Sequence, residues 1–307
     1  MTTKLKNLMN NKIYFSIFLA ILAALLYGFS TPISKLLLVE LSPFLLAALL
    51  YLGAGFGMLI VNLVQVLSRR KKVEAKLTKK ELPFVLGMIF LDILAPVLLM
   101  FGLGMTTSAN ASLLNNFEIV ATSMIALVIF KEVIGRKMWI AIGLVFIASV
   151  LLSFEDLSAF SFSLGSLLVL GASISWGLEN NFTRKLSIKD PLLIVVIKGL
   201  GSGVGSLSIA YFMNMLGGSF QFIIYALILG FFAYGMSIYF YITAQRTLGA
   251  ARTSAYYATA PFIGVILSWV FLGEQITLIF GIALIIMVIG AYLAFHENRD
   301  SQKNKSL

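Results

Sequence analysis

Residues 83–130 read PFVLGMIFLDILAPVLLMFGLGMTTSANASLLNNFEIVATSMIALVIF, 48 positions with two charges, Asp92 and Glu118. As one α-helix this stretch would reach about 72 Å, at 1.5 Å per residue. A bilayer's hydrocarbon core is about 30 Å thick and is crossed by roughly 20 apolar residues. The run therefore has to fold back, and the polar triplet Thr106-Thr107-Ser108 is where it can. A second long run, 220–272, divides in the same way at Thr247-Leu248-Gly249.

The same rule, applied outward along the chain, places spanning helices at 13–38, 43–67, 83–105, 107–130, 136–153, 164–186, 191–215, 220–244, 250–272 and 276–296. The expected fold is thus all-α, a polytopic membrane protein with ten transmembrane helices. Composition agrees. Of 307 residues 60% are hydrophobic and 12% charged, about half the charged share of a soluble domain, and the mean hydropathy is +0.98. Lys4, Lys6 and Lys12 before an apolar run resemble a signal peptide, but the run is too long for an h-region and is read as an uncleaved first span.

The net charge is +10. The charges sit in short clusters between apolar runs, not on one soluble face, so no nucleic-acid partner is expected. With the N-terminus inside, 21 of the 23 Lys and Arg fall on the inner side, and the outer loops carry Glu40, Glu155, Asp156 and Glu274. That is the positive-inside pattern. It predicts a multi-pass protein of the cell membrane with both termini cytoplasmic, residues 297–307 being a cytoplasmic tail. There is no cysteine and a single histidine, His296, so neither a disulfide, nor a His/Cys metal site, nor a Ser-His-Asp triad is expected. No cofactor is expected, and no segment reads as nucleotide-binding.

The two halves of the chain repeat. Ala23-Ala24-Leu25-Leu26-Tyr27-Gly28 aligns with Ala172-Ser173-Ile174-Ser175-Trp176-Gly177, and the alignment continues to Ser34-Lys35 over Thr183-Arg184. Phe130-Lys131-Glu132 matches Leu272-Gly273-Glu274. Gly53-Ala54-Gly55-Phe56-Gly57 and Gly199-Leu200-Gly201-Ser202-Gly203-Val204-Gly205 occupy equivalent spans, the second and seventh, and read as close-packing faces. The repeats are 13–153 and 164–296. Five spans is an odd number, so the second half enters the membrane inverted, an architecture of secondary transporters with the site at the midplane.

A charge at mid-span is costly and marks a site by default. Glu118 lies on a polar stripe, Ser108, Ser112, Asn115, Glu118 and Thr122, that should face protein or a cavity; the plainer account is a hydrogen bond to another helix. Glu179, followed by Asn180-Asn181, shares a face with Ser175 and Thr183, or pairs with Arg184. Asp92 stands four residues before Pro96, at a kink that suits a cavity or hinge, or is a polar patch that stabilises the kink. Lys198 is read as snorkelling to the interface, with pairing to Glu179 or Glu118 as the alternative. Three carboxylates against one lysine favour a cationic or zwitterionic substrate, or proton coupling. Tyr27, Trp176, Tyr234, Tyr239, Tyr241, Tyr256 and Tyr257 are available for cation–π contacts. Glu132 and Glu274 are terminal and read as structural.

In these residues the chain resembles the drug/metabolite transporter superfamily, EamA type: ten short spans, a five-plus-five inverted repeat, Tyr27-Gly28 and Trp176-Gly177, and Glu132 and Gly273-Glu274. The resemblance implies a central cavity lined by spans 1, 3, 4, 6, 8 and 9, spans 5 and 10 outside it, and alternating access. It carries over no acidic binding residues. Asn115-Asn116 and Glu179-Asn180-Asn181 stand where such proteins often have apolar or small residues, and point to a more polar substrate. The expected function is secondary active transport, as an exporter, of a small polar, zwitterionic or cationic metabolite such as an amino acid or amine. Partners are the lipid bilayer, a small-molecule substrate and protons; the chain is not expected to be an enzyme. Glu118, Glu179 and Asp92 would bind substrate or a proton, with Asn115, Asn180 and Tyr239 as polar or cation–π contacts. An uptake carrier of the same fold is the near rival; an intramembrane enzyme and a non-transporting sensor are the distant ones.

Overall fold

The sequence pattern predicts a helix at every apolar run, and the computed structural model, which describes residues 3–68, 75, 77–131, 135–156, 161–186, 189–248, 253 and 256–303, has one at each. The helices are α1 (Thr3–Gly28), α2 (Ser30–Leu37), α3 (Pro43–Leu67), α4 (Leu82–Met105), α5 (Ser108–Leu114), α6 (Phe117–Phe130), α7 (Arg136–Ser153), α8 (Leu164–Leu186), α9 (Pro191–Phe212), α10 (Phe220–Leu229), α11 (Ser237–Leu248), α12 (Ala260–Leu272) and α13 (Leu278–Lys303). A π-helical turn, Gly230–Met236, joins α10 to α11. A two-stranded ribbon, Phe154–Asp156 with Ser161–Phe162, caps one end. Among the described residues seven helical stretches are long and apolar enough to cross a membrane, and 260–272 and 278–294 are shorter apolar helices. α8 is long enough, but it carries Glu179-Asn180-Asn181 and is not among the seven.

Three details differ from expectation. The first span is broken at Phe29 between α1 and α2. The fourth is broken at Asn115–Asn116 between α5 and α6. The last helix continues to Lys303, past the expected end at 296. The ends of the helices follow local chemistry. Ser42 caps α3, its hydroxyl accepting from Leu45 N, with Pro43 following. Asp190 caps α9 by accepting from Leu192 N and Leu193 N before Pro191 can interfere, since proline has no amide to offer there. α6 and α12 stop in the same way, at left-handed residues Lys131 (φ 54°) and Gly273 (φ 63°). Those are the residues that the sequence repeat aligns.

Packing repeats with them. α4 lies against α8, and α1 lies against α11 and the π turn; α6 meets α8, and α1 meets α12; α3 pairs with α9, α5 with α12, and α7 with α13. Exchanging each span for its counterpart in the other half, with α5 and α6 taken together as one span, maps this set of pairs onto itself, as a two-fold relation requires. The aligned glycines show it at atomic scale. A Cβ on Gly177 would stand 2.5 Å from Ala121 Cβ, and one on Gly28 would stand 2.7 Å from Ile263 Cγ2. Between helices in lipid there is little hydrophobic drive, so close backbone approach supplies the attraction. The α3–α9 crossing depends on it: a Cβ on Gly199 would lie 2.4 Å from Gly55 N, and one on Gly203 would lie 2.7 Å from Leu52 N. α7 and α13 stack on each other at the periphery, with Phe146, Ile147, Ile285 and Ile289 exposed for lipid.

Candidate functional site

Lys198 follows seven residues after Pro191, about 10 Å along α9, and just before the Gly199 crossing. It is 6% exposed. Its Nζ lies 3.1 Å from Asp92 Oδ2 on α4 and 3.0 Å from Glu179 Oε1 on α8. The snorkelling expectation is therefore corrected. α9 is held too tightly to α3 and α4 for the ammonium to reach the interface, and two carboxylates compensate it where it stands. Asp92 and Glu179 are 0% and 1% exposed. Glu179 also accepts from Thr183 Oγ1, its neighbour one turn on. The alternative partner Arg184 has a side chain outside the described residues.

Tyr51 on α3 completes the cluster. Its hydroxyl donates to Asp92 Oδ1 at 2.8 Å and accepts from Trp176 Nε1 at 3.5 Å. The Trp176-Gly177 pair thus has two tasks. Tryptophan orients Tyr51, and glycine admits α6. Tyr51 is the residue that sequence reasoning passed over. The available signal was its position two residues before Gly53-Ala54-Gly55, on the stretch of α3 that must approach the lysine-bearing helix.

Glu118 stands one residue into α6. Asn180 Nδ2 donates to its Oε1 at 2.5 Å, and it has no ion-pair partner among the described residues. The expected single polar stripe does not form, because the break at Asn115–Asn116 turns α6 relative to α5. Ser108 Oγ accepts from Ser268 Oγ at 2.8 Å, and Ser112 faces Gly264 of α12, whereas Glu118 faces α8. Asn115 is buried at the break with an unpartnered Oδ1. Asn180 is thus brought to Glu118, and Asn115 lies one turn away. Tyr239 goes elsewhere, into a cluster with Met58, Val195 and Ile242.

A wall of tyrosines adjoins the carboxylates. Tyr27 sits 5.8 Å from Tyr234 and 5.7 Å from Tyr257, and Tyr234 sits 5.3 Å from Tyr51, ring centre to ring centre. Tyr234 is in the π turn and accepts from Ser30 Oγ at 3.1 Å. Tyr257 precedes the interruption at Ala258–Thr259 before α12, so each half contributes an interrupted helix here. Among the described residues no group of three or more His, Cys, Asp or Glu could hold a metal ion. The arrangement offers buried negative charge, aromatic faces and hydrogen-bonding amides at the centre of the bundle.

Comparison with known proteins bears on the fold and the family. The model of the EamA-like transporter family matches residues 14–154 and again 163–296. A protein of Methanothermobacter thermautotrophicus named "Uncharacterized transporter" is 28% identical over 295 residues, covering 91% of this chain and 85% of its own length. A chain described as "Crystal structure of protein" superposes with a TM-score of 0.66 at 16% identity, over 91% of this chain and 95% of that one, a likeness of fold alone.

Proposed function

The chain belongs to the EamA-like transporter family, and from that premise we propose that it is a secondary active carrier of a small cationic or zwitterionic metabolite, working by alternating access between two inverted halves, 13–153 and 164–296. The observation that carries the proposal is the charge balance of the centre. Asp92 and Glu179 share one ammonium, Lys198, and Glu118 has no cation beside it among the described residues. Buried charge is tolerated only when it is compensated. Further positive charge is called for, and a substrate ammonium or a proton can supply it. The tyrosine faces beside the carboxylates favour an amine, since an ammonium over an aromatic ring gains cation–π attraction.

Glu118 is the proposed exchange point, with Asn180 and Asn115 as its hydrogen-bonding neighbours. One carboxylate cannot hold a proton and a cationic group together, so coupling through it is exchange. In a cell membrane an inward proton gradient would then drive the substrate out, which is the proposed direction. Asp92, Glu179 and Lys198 would hold α4, α8 and α9 in register around the site. The localisation proposed is the cell membrane with both termini cytoplasmic, supported by the one-sided distribution of Lys and Arg.

A thermal-shift screen of the purified protein against amino acids, polyamines, quaternary amines and sugars tests the substrate class, because a ligand that binds the folded state stabilises it. The expected hit is an amine or amino acid, with the stabilisation lost in Glu118→Gln. A hit that stabilises wild type, Glu118→Gln and Glu179→Gln equally would remove the carboxylates from the substrate site. A sugar as the only hit would remove the cationic substrate class.

A further inference from the structure

Asn110, Ser112, Asn115 and Asn116 follow one another along α5 and the break after it. Each has a buried side-chain atom without a hydrogen-bond partner among the described residues: Asn110 Oδ1, Ser112 Oγ, Asn115 Oδ1 and both amide atoms of Asn116. Ser34 Oγ, on the neighbouring α2, is in the same condition. Buried polar groups are nearly always paired, and an unpaired one costs stability. Asn110, two residues before Ser112, points to the opposite face of α5 toward Leu152 and Ser166, whereas Ser112, Asn115 and Asn116 share a face. Those three, with Ser34 on α2, form a seam that gains free energy when water or a polar solute reaches it.

What closes α5 over this seam lies at its first turn. Glu274, just past α12, accepts amides at both oxygens, Ser108 N at Oε1 and Ala109 N at Oε2, each at 2.7 Å. Lys35 on α2 donates to the last carbonyls of α4, Leu103 O at 2.5 Å and Thr106 O at 2.7 Å. The charges suit the helix ends they hold, a carboxylate at the N-terminus of α5 and an ammonium at the C-terminus of α4. Asn110 Nδ2 ties the same turn to Leu152 O and Ser166 Oγ. Outside the turn is a cavity of about 490 Å³ whose wall includes Lys35, Thr106, Thr107, Asn110 and Glu274. Asn110 therefore borders the cavity on one face of α5, and the seam runs along the other face to the Asn115–Asn116 break beside Glu118.

We propose that Lys35 and Glu274 are the latch that closes this end of the transport path, and that α5 with the turn before it is the element that moves when the latch releases. The two side chains come from different halves of the chain, both hold backbone of the α4–α5 hairpin, and their opposite charges attract each other across the turn. Losing either frees that hairpin and leaves the other charge, itself half-buried, without its counterpart. Opening would join the cavity to the centre through the unpaired groups of α5, whose hydration favours the open state. The inference deepens the transporter reading and rests on it.

The chain contains no cysteine, so one introduced thiol reports alone. Ser112→Cys places it in the seam and Ser202→Cys places it between α4 and α9, away from the latch. Labelling by a water-soluble maleimide requires opening. Adding Glu274→Gln or Lys35→Met should raise the S112C labelling rate about tenfold, the population shift expected from losing charge-assisted hydrogen bonds, and leave S202C unlabelled. Lys35→Arg should keep it low. Unchanged S112C labelling, or an equal rise at S202C, overturns the latch. If neither latch variant folds, hydrogen exchange on the wild type decides. The Ser108 and Ala109 amides should exchange with the rest of 104–114 as one unit, well before α9; exchange no earlier than α9 overturns the proposal. No step needs a substrate, so the latch can fail while the carrier reading stands, and a chain that binds and moves no solute can still show the latch.

Discussion

Lys198→Met is expected to destabilise the protein by about 3–5 kcal/mol, the range for removing one member of a buried ion pair. The loss is large because the ammonium serves two carboxylates, at 3.1 and 3.0 Å, and its removal leaves both without a cation in the interior. The effect should be reversible by chemistry. Adding Asp92→Asn and Glu179→Gln to Lys198→Met removes the stranded charges, and most of the lost stability should return, as happens when buried ionic groups are replaced together. Melting of the detergent-solubilised single and triple variants reads this directly. A Lys198→Met protein that melts with wild type would mean that the ammonium compensates neither carboxylate.

Gly199→Leu comes next in size. Overpacking a close contact costs typically about 1–3 kcal/mol, occasionally more, and here the new side chain would meet backbone, which cannot rotate away. The would-be Cβ is 2.4 Å from Gly55 N and 2.9 Å from Tyr51 O. Parting α3 from α9 also draws Tyr51 away from Asp92, so stability and the site should suffer together. Gly143→Leu is the control, since a Cβ there meets nothing within 4 Å. Equal melting temperatures for the two variants would show that the crossing is looser than the glycines imply.

The apolar pattern was enough to locate the helices, because a helix in lipid must satisfy its own backbone and be long enough to cross. The residues that align between the halves have a similar physical reason. Gly28 and Gly177 had to be small to admit the fourth helix of the other half, and Lys131 and Gly273 had to end their helices in a left-handed turn. The charges themselves were legible, since Asp92, Glu118, Glu179 and Lys198 are conspicuous in apolar spans. Their pairing was legible only in part: Lys198 with Glu179 stood as the alternative to snorkelling, and Asp92 as its second partner was not foreseen. Snorkelling is the usual resort of a lysine near a helix end, and only the neighbouring crossing at Gly199 closes that route. Tyr51 was hidden because a tyrosine in a membrane helix is unremarkable until its partner is placed.

Two further misses have physical causes. The polar stripe on the fourth span assumed one helical period, and a two-residue break after Leu114 was sufficient to send Ser112 and Glu118 to different neighbours. Tyr239 was grouped with the other aromatics by span, but the π turn at Gly230–Met236 alters the helical phase ahead of it, and it packs with Val195 and Ile242 instead. Glu274 was read as a terminal structural residue, and Lys35 only as part of the alignment between the halves. Neither reading could anticipate a hairpin turn held between them, because the link runs through backbone atoms of a segment nearly 70 residues from Lys35.

The proposed transport cycle turns on exchange of a proton for a cationic or zwitterionic solute through Glu118. Proteoliposomes loaded with a pH-sensitive dye, and given a gradient of the compound identified by thermal shift, test it directly. Wild-type protein should move protons against the flow of the compound, and Glu118→Gln should pass none. Compound flux with no change in internal pH, or proton exchange that persists in Glu118→Gln, would contradict the claim.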